Sequence, residues 1–275
     1  MRKEVRIILI ILLLGVFCVF GVRALKIDRR YRDSREVYSD AASSFTEVTK
    51  PEATAMETPP AGDQTDQPDH AETLVQPVTD ENSAVPIKVD FDTLTKANPD
   101  VWGWIYCEGT PINYPVVFGR DNAYYLERNY REEYDPSGSI FSDGANTKGV
   151  VNSNIILYGH HMLDGSMFSS LKNWFRQDYY DTHPVMWLLT PEHNYRVELF
   201  AGYPTTADGW TYAIYLGPSV QFDSYLQVAK NSSAFSSDVS LESDAHYVVL
   251  STCAYDGDEY GELRTVLHGK LVPVD

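Results

Sequence analysis

The feature that most constrains the fold is a series of short β-rich runs, which begins near residue 87 and continues to the C-terminus. The runs are rich in Val, Ile, Tyr and Phe, residues that favour strands, and turn residues separate them. They include INYPVVF, NIILYGHH, VMWLLT, YRVELFAGYP, HYVVLSTC and TVLHGKLV. The regular strand–helix alternation that a parallel α/β fold needs is absent from the sequence. The pattern therefore predicts a mostly β domain, either a closed barrel or a sandwich.

Helical patterns occupy only a few places in this domain. Residues 91–105, FDTLTKANPDVWGWI, predict short N-terminal helical turns that lead into a strand. Residues 166–176 and 222–235 carry apolar side chains at helical spacing. The second of these segments comes before HYVVLSTC, so we expect one helix shortly before the strand that ends in Cys253.

The N-terminal end has the composition of a membrane anchor. Residues 7–22, IILIILLLGVFCVFGV, are apolar without interruption. With flanking arginines whose charged ends reach the membrane surface, the segment approaches the ~20 residues that cross a bilayer. We predict a transmembrane anchor with basic flanks over residues 1–35, and a cleaved signal peptide is the alternative. More Lys and Arg follow the apolar run than precede it, which taken alone favours a cytoplasmic domain.

Residues 36–86 differ in composition from what precedes and follows them. They are rich in Thr, Ser, Ala, Pro, Asp and Glu, as in KPEATAMETPPAGDQTDQPDH, and have few large apolar side chains. Such a segment cannot bury enough surface to offset the entropy lost on ordering, so we predict a disordered linker. The folded domain is predicted over residues 87–275. The net charge of −17 argues against nucleic acid as a partner, because phosphates bind clustered Lys and Arg.

Three cysteines, Cys18, Cys107 and Cys253, are too few for a disulfide framework. Cys107 lies in a strand-like run and is interpreted as a strand residue of the core. Cys253 ends one strand and Arg264 lies at the start of the next, so an antiparallel hairpin would place them face to face at its mouth. A guanidinium there favours the thiolate and can donate hydrogen bonds to an oxyanion. A buried, inert thiol is the alternative interpretation of Cys253.

Two adjacent histidines, His160 and His161, end the apolar run NIILYGHH. Neighbouring residues of an extended strand point to opposite faces, so both side chains cannot serve one site. We find no further His, Cys or carboxylate groups at the spacing of metal ligands, and the sequence therefore predicts no metal site.

Together, YGHH, the later LSTC and Arg264 resemble the motifs of the sortases, the cysteine transpeptidases of Gram-positive bacteria. The segments NPDVWGWI, PINYPVV and YGHHM, the apolar N-terminus and the helix before the cysteine strand are most similar to class B of that family. The resemblance covers about residues 88–272. It implies a closed eight-stranded sortase-type barrel on the outer face of the membrane, which resolves the orientation in favour of an extracellular catalytic domain.

The family's catalytic residues fall on Cys253, His160 and Arg264. The implied reaction is cleavage of a C-terminal sorting signal after its Thr residue, followed by transfer to an amine. Cys253 attacks the carbonyl to form a thioacyl enzyme, and His160 transfers protons. Arg264 stabilises the oxyanion or positions the signal peptide. The resemblance implies no cofactor.

Class B enzymes also use a Tyr two residues before the His and a Ser two residues before the Cys. In this chain these positions are Tyr158 and Ser251. The family's Asn falls by spacing on Asn122, so these three residues are implied to bind substrate. The position after the cysteine, acidic in one branch of the class, is Ala254, and this departure leaves substrate selection open.

The resemblance also implies the partners. They are surface proteins that carry a C-terminal sorting signal, a lipid-linked peptidoglycan precursor that supplies the acceptor amine, and the membrane that holds the N-terminal helix. Three alternatives stay open: a pilin-polymerising sortase, a cysteine protease that cleaves without transfer, and a binding module with an inert cysteine.

Overall fold

The structure, a computed structural model, describes residues 3–49, 85–253 and 262–274. A long N-terminal helix comes first, and most of the elements after it are short strands. In chain order the elements are α1 (Lys3–Phe45), β1 (Thr46–Val48), β2 (Ile87–Val89), α2 (Phe91–Ala97), β3 (Val101–Tyr106), β4 (Asn113–Phe118), β5 (Ile140–Ser142), β6 (Asn154–Tyr158), α3 (Gln177–Thr182), β7 (Val185–Leu189), β8 (Asn194–Thr206), α4 (Val220–Asn231), β9 (His246–Cys253) and β10 (Leu263–Val274). Short 3-10 helices span Tyr124–Leu126, Ser169–Phe175 and Trp210–Tyr212.

Eight of these strands close a barrel in the order β10-β8-β7-β3-β4-β5-β6-β9, with β9 paired again to β10. Neighbouring strands are antiparallel except for two pairs, β4–β5 and β6–β9, which are parallel. Closure leaves none of these strands with an unpaired edge. The prediction of a mostly β, closed eight-stranded barrel is confirmed.

The strand that ends in the cysteine, β9, is buried on both faces. Val248 and Leu250 belong to the main hydrophobic cluster, whereas Tyr247 and Val249 belong to a second cluster that includes the apolar face of α4. Alternate residues of a strand point to opposite sides, so one strand can pack against two cores. This double packing explains the apolar run YVVL in the middle of the strand.

Helices form in all three predicted segments, but their bounds and types differ from the predictions. Helix α2 leads into β3 and α4 precedes β9, as expected. Residues 166–176 form a 3-10 helix over Ser169–Phe175, and a separate α-helix, α3, follows because Arg176 between them is extended. Helix α4 stops at Asn231, four residues before the predicted end. The chain turns there, and the Ala234 N–H donates to the carbonyl of Gly202 in β8.

The predicted boundary between anchor and linker at residue 35 is wrong, because helix α1 continues to Phe45 and β1 follows it. Tyr38 and Ala41 are buried against the barrel, and the Tyr38 hydroxyl donates to the carbonyl of Gly138. β1 pairs with β2 in an antiparallel register. A few apolar residues at helical spacing are enough to dock this segment, although its average composition resembles a linker. The remainder of the predicted linker, residues 50–84, lies outside the described residues.

The predicted anchor, residues 1–35, falls largely within α1. Several of its large apolar side chains are exposed, among them Leu13, Leu14, Phe17 and Phe20 at 58–78%. Among the residues that the structure describes, no helix is both long and apolar enough to span a membrane.

Candidate active site

The candidate nucleophile lies at the mouth of a hairpin. β9 ends at Cys253 and β10 begins at Leu263, and Arg264 is the antiparallel partner of Cys253 in the register of the two strands. The predicted hairpin is therefore confirmed. Cys253 is partly exposed, as a nucleophile has to be, and Arg264 donates from Nη1 to the carbonyl of Leu263 at 2.9 Å. The connecting residues 254–261, which include Ala254, lie outside the described residues.

The first histidine reaches the same mouth from the neighbouring strand. β6 runs parallel to β9, and Tyr158 stands beside Ser251 in their register. The Gly159 N–H then donates to the Ser251 carbonyl at 3.1 Å, so His160 follows directly at the end of the parallel pair. A side chain at Gly159 would bring a Cβ within 2.7 Å of the Phe168 ring. Glycine is thus required here because the chain packs closely against its neighbours.

The two adjacent histidines have different contacts. His160 Nε2 lies 2.8 Å from the carbonyl oxygen of Leu126, and His161 Nδ1 lies 2.9 Å from the carbonyl oxygen of Cys253. A carbonyl oxygen only accepts, so each of these ring nitrogens carries a proton. In a neutral His160 ring, Nδ1 is then the nitrogen that can accept a proton. His161 instead holds the backbone of Cys253.

A pocket of about 270 Å³ joins these groups. It gathers the predicted nucleophile, histidine and arginine together with all three predicted substrate-binding residues. Its lining consists of Asn122, Leu126, Phe141, Tyr158, Gly159, His160, Ala207, Tyr212, Ser251, Thr252, Cys253 and Arg264. Six side chains chosen from the sequence, spread over more than half of the folded domain, therefore meet at one opening.

Two side chains of this region were missed by sequence reasoning. Asp143, buried just after β5, accepts hydrogen bonds from the Tyr158 hydroxyl at 2.8 Å and from the Asn122 amide at 3.0 Å. The Tyr212 hydroxyl lies 2.9 Å from Ser251 Oγ, and its ring stacks on Tyr158 with centroids 6.1 Å apart. The only sequence signal for Asp143 is its place at the end of the run SIFSD, and Tyr212 lies in a segment without strand or helix periodicity.

The phenols of Tyr158 and Tyr212 both keep their protons at neutral pH. Burial raises the pKa of Tyr158 well above its usual range, and the hydrogen bond to Asp143 raises it further. Burial also raises the pKa of Tyr212, while the nearby Arg264 guanidinium opposes the shift. The two hydroxyls can therefore act as hydrogen-bonding groups but not as bases.

The pocket brings together a thiol, an imidazole and a guanidinium. In residues 3–49, 85–253 and 262–274, no group of three or more His, Cys, Asp or Glu side chains is arranged to hold a metal ion. A thiol that shares a pocket with an imidazole and a cationic hydrogen-bond donor has the groups that nucleophilic acyl transfer uses.

Comparison with known proteins agrees with this arrangement, although no family model matches the chain. The chain is 38% identical over 186 residues to sortase B of Listeria monocytogenes, an alignment that covers 68% of this chain and 75% of the relative. The chain belongs to the class B sortases. This sortase is accordingly a cysteine transpeptidase, as the resemblance in its motifs implied.

Solved structures of class B sortases share the fold of this sortase. Sortase B from Bacillus anthracis in complex with AAEK1 matches with a TM-score of 0.67 and 29% identity, covering 89% of this chain and 99% of that one. The sortase B–substrate complex from Staphylococcus aureus matches with a TM-score of 0.63 and 32% identity, covering 67% of this chain and 85% of that one.

Proposed function

We propose that this sortase cleaves the C-terminal sorting signal of surface proteins after a Thr residue and transfers the protein to an amine of a peptidoglycan precursor. The observation that carries the proposal is the position of Cys253, opposite Arg264 at the hairpin mouth, in a pocket that His160 also lines. Transfer through a thioester needs a nucleophile, a proton-transfer group and a stabiliser of negative charge, and these three side chains can supply them.

In the first half of the reaction, the Cys253 thiolate attacks the carbonyl carbon of the scissile peptide bond. The C=O electrons move onto oxygen, and Arg264 donates hydrogen bonds to the resulting oxyanion. The tetrahedral intermediate then expels the amine, the C–N bond breaks, and the imidazolium of His160 gives the departing nitrogen a proton. A thioacyl enzyme remains.

In the second half, the acceptor amine attacks the thioester carbonyl while His160 removes a proton from it, and the Cys253 thiolate leaves. The contact between His160 Nε2 and the Leu126 carbonyl supports this role, because it fixes the ring and leaves Nδ1 as the nitrogen that exchanges protons with substrate. A fixed ring loses less entropy when the transition state forms.

The sorting signal is proposed to bind along the wall formed by Asn122, Tyr158 and Ser251. All three line the pocket that holds Cys253. The sortase B of Staphylococcus aureus, whose fold this chain shares, has been solved with a substrate. Amide and hydroxyl groups of this kind match the hydrogen-bonding groups of a peptide.

The chain is proposed to work at the outer face of the cell membrane, with its apolar N-terminal segment as a single-pass anchor and residues 87–275 as the extracellular catalytic domain. Support comes from the exposed apolar side chains of α1, such as Leu13 and Phe17. A lipid-linked precursor and a membrane-held surface protein would then both lie within reach. Fractionation of cells that express the full chain, compared with a variant lacking residues 7–22, tests the anchor.

The reaction is tested with the full chain in detergent micelles and a library of sorting-signal peptides. Mass spectrometry should identify a cleaved bond after Thr, and added triglycine should convert the hydrolysed product into an amide. The Cys253→Ala variant is the control and should give neither product. Cleavage that never yields the amide product at any amine concentration would identify a protease instead. Preferential transfer to a lysine side chain of a pilin peptide would favour a pilus-assembling sortase.

A further inference from the structure

A buried carboxylate lies behind one wall of the pocket. Asp143 is only 8% exposed and does not line the pocket itself. Its Oδ2 accepts from the Tyr158 hydroxyl at 2.8 Å and from Asn122 Nδ2 at 3.0 Å, and its Oδ1 accepts from the Ala145 N–H at 2.8 Å. In the part of the chain that the structure describes, no Lys or Arg pairs with it. Burying a charge is costly, so its hydrogen bonds to the pocket wall need an explanation.

The bonds to Asp143 determine how Asn122 is oriented. Asn122 Nδ2 donates to the carboxylate, and Asn122 Oδ1 accepts from the Gly144 N–H at 2.7 Å. Both ends of the amide are thereby assigned, because a reversed amide would place a donor against the Gly144 N–H. One N–H of Asn122 Nδ2 is left over as a donor for another group.

The same carboxylate determines what Tyr158 can offer. A phenol has a single proton, and that of Tyr158 is donated to Asp143. Burial and the neighbouring carboxylate both keep this proton on the phenol by raising its pKa. The Tyr158 oxygen is therefore left as an acceptor. The Tyr158 oxygen thus offers one acceptor, and the remaining N–H of Asn122 offers one donor. An amide group has one N–H and one C=O, so this pair of groups is complementary to it.

We propose that Asp143 is a positioning residue that orients Tyr158 and Asn122 so that they recognise an amide group of the sorting signal. The proposal rests on the proposed role of this pocket in binding sorting signals. Asp143 acts through its two partners and does not touch the reacting atoms. Its loss should weaken peptide binding and leave the chemistry at Cys253 unchanged.

A substitution by asparagine separates orientation from volume. Asp143→Asn keeps the size of the side chain, but its NH₂ group must face either the Ala145 N–H or the two donors from Tyr158 and Asn122. The first orientation leaves the Ala145 N–H without an acceptor, and the second leaves both the Tyr158 and the Asn122 donors without one. In either orientation the negative charge that strengthens the two bonds to Tyr158 and Asn122 is lost. We expect KM for a cleaved sorting-signal peptide to rise about tenfold with kcat within about threefold, which is the signature of lost ground-state binding. The rate of Cys253 alkylation by iodoacetamide should stay unchanged.

Asp135→Asn is the matched control. Asp135 is another buried carboxylate, 4% exposed, that accepts from the Ser137 N–H and does not line the pocket. Its variant should keep the wild-type KM, even if its melting temperature falls. A similar rise in KM in both variants would show that Asp143 acts only through general stability, and the proposal would then be wrong.

A mutant cycle with the two partners removed tests whether Asp143 acts through them. Asp143→Asn should add little to KM when it is introduced into Asn122→Ala combined with Tyr158→Phe, because neither partner remains to be oriented. A full additional tenfold rise in that background would contradict the proposal. If Asp143→Asn does not fold, Tyr158→Phe alone removes one of the two bonds and should raise KM with kcat kept, and a wild-type KM there contradicts it equally.

A readout without substrate separates this inference from the proposed function. The Asn122 side-chain NH₂ signals of the full chain in micelles, observed by NMR, should lose their distinct shifts and exchange faster with water in Asp143→Asn. Unchanged signals would refute the positioning role even in an active enzyme. If the wild type cleaves no sorting peptide but these signals change, the proposed substrate is wrong and the positioning of the wall still holds.

Discussion

The two cysteines of the folded domain occupy opposite environments. Cys107 directly follows β3, is 1% exposed, and its Sγ lies 3.6 Å from the carbonyl of Val185. Burial raises the pKa of its thiol to about 12. Cys253 is partly exposed at the end of a strand, opposite Arg264 in a pocket. The end of a strand, where neighbouring strands stop together, makes a thiol accessible to charged partners, whereas a barrel core makes it inert.

The largest expected difference is between removal of the two thiols. Cys253→Ala should abolish cleavage and transfer, because no thioacyl enzyme can form. Cys107→Ala should keep kcat and KM and lower the free energy of unfolding by about 1 kcal/mol through lost packing. Peptide turnover and thermal melts of both variants measure this. An inactive but folded Cys107→Ala protein would show that the buried thiol is also needed for the reaction.

The two histidines near Cys253 are also expected to differ in their effect on turnover. His160→Ala should lower turnover about a hundredfold to ten-thousandfold, the usual range for a lost general acid and base. Cys253 should still react with iodoacetamide in that variant, though more slowly.

His161→Ala should lose much less activity, since His161 bonds to the Cys253 carbonyl and does not line the pocket. Steady-state assays of both variants, with alkylation followed by mass spectrometry, decide between the two residues. If His161→Ala is the inactive one, the assignment of the acid and base is reversed.

Substitution of Arg264 should lower the turnover that depends on Cys253. Arg264→Lys keeps the positive charge but not the planar set of donors, and we expect kcat to fall on the order of a hundredfold. The variant should fold, because Arg264 lies at the pocket rather than in the core. Turnover is compared with the melting temperature of the same preparation. Wild-type turnover would mean that a positive charge alone suffices, without a hydrogen bond to the oxyanion.

Much of this site could be predicted because its signals are local. The resemblance rests mainly on two short motifs, YGHH and LSTC, which hold four of the six predicted site residues that line the pocket: Tyr158, His160, Ser251 and Cys253. Asp143 could not be predicted, because its partners lie far along the chain and only the closed barrel brings them together. The docking of α1 was missed for a different reason. The average composition of residues 36–86 conceals the apolar residues that bury against the barrel.

A smaller effect of pH is expected at the buried thiol. The unfolded Cys107 thiol ionises near its ordinary pKa of 9.0, whereas the folded one stays protonated up to about 12. The stability that burial of the neutral thiol contributes is thus complete below pH 9 and is lost as pH rises toward 12, by roughly 1.4 kcal/mol per pH unit at most. Denaturant unfolding at pH 8 and pH 10 should show a steeper loss for the wild type than for Cys107→Ala. Equal losses would mean that water reaches this thiol.

The smallest effect is expected from replacing residues 50–84. The described residues that flank this segment lie close together, because Val48 pairs with Ile87 and the Thr49 N–H donates to the Pro86 carbonyl at 3.0 Å. An Asn-Gly turn can therefore replace the segment and close a hairpin between β1 and β2. We expect turnover of a soluble peptide within about twofold of wild type and an equal or higher melting temperature, since a shorter loop loses less entropy on closure.

The matched control for this replacement is a chain that starts at Ile87. It lacks the same segment but also lacks Tyr38, Ala41 and β1, which pack against the barrel and β2. Its melting temperature should fall, because buried apolar area is lost. Equal stability of the two shortened chains would show that α1 does not stabilise the barrel. A loss of turnover confined to the Asn-Gly variant would instead assign residues 50–84 a part in the reaction.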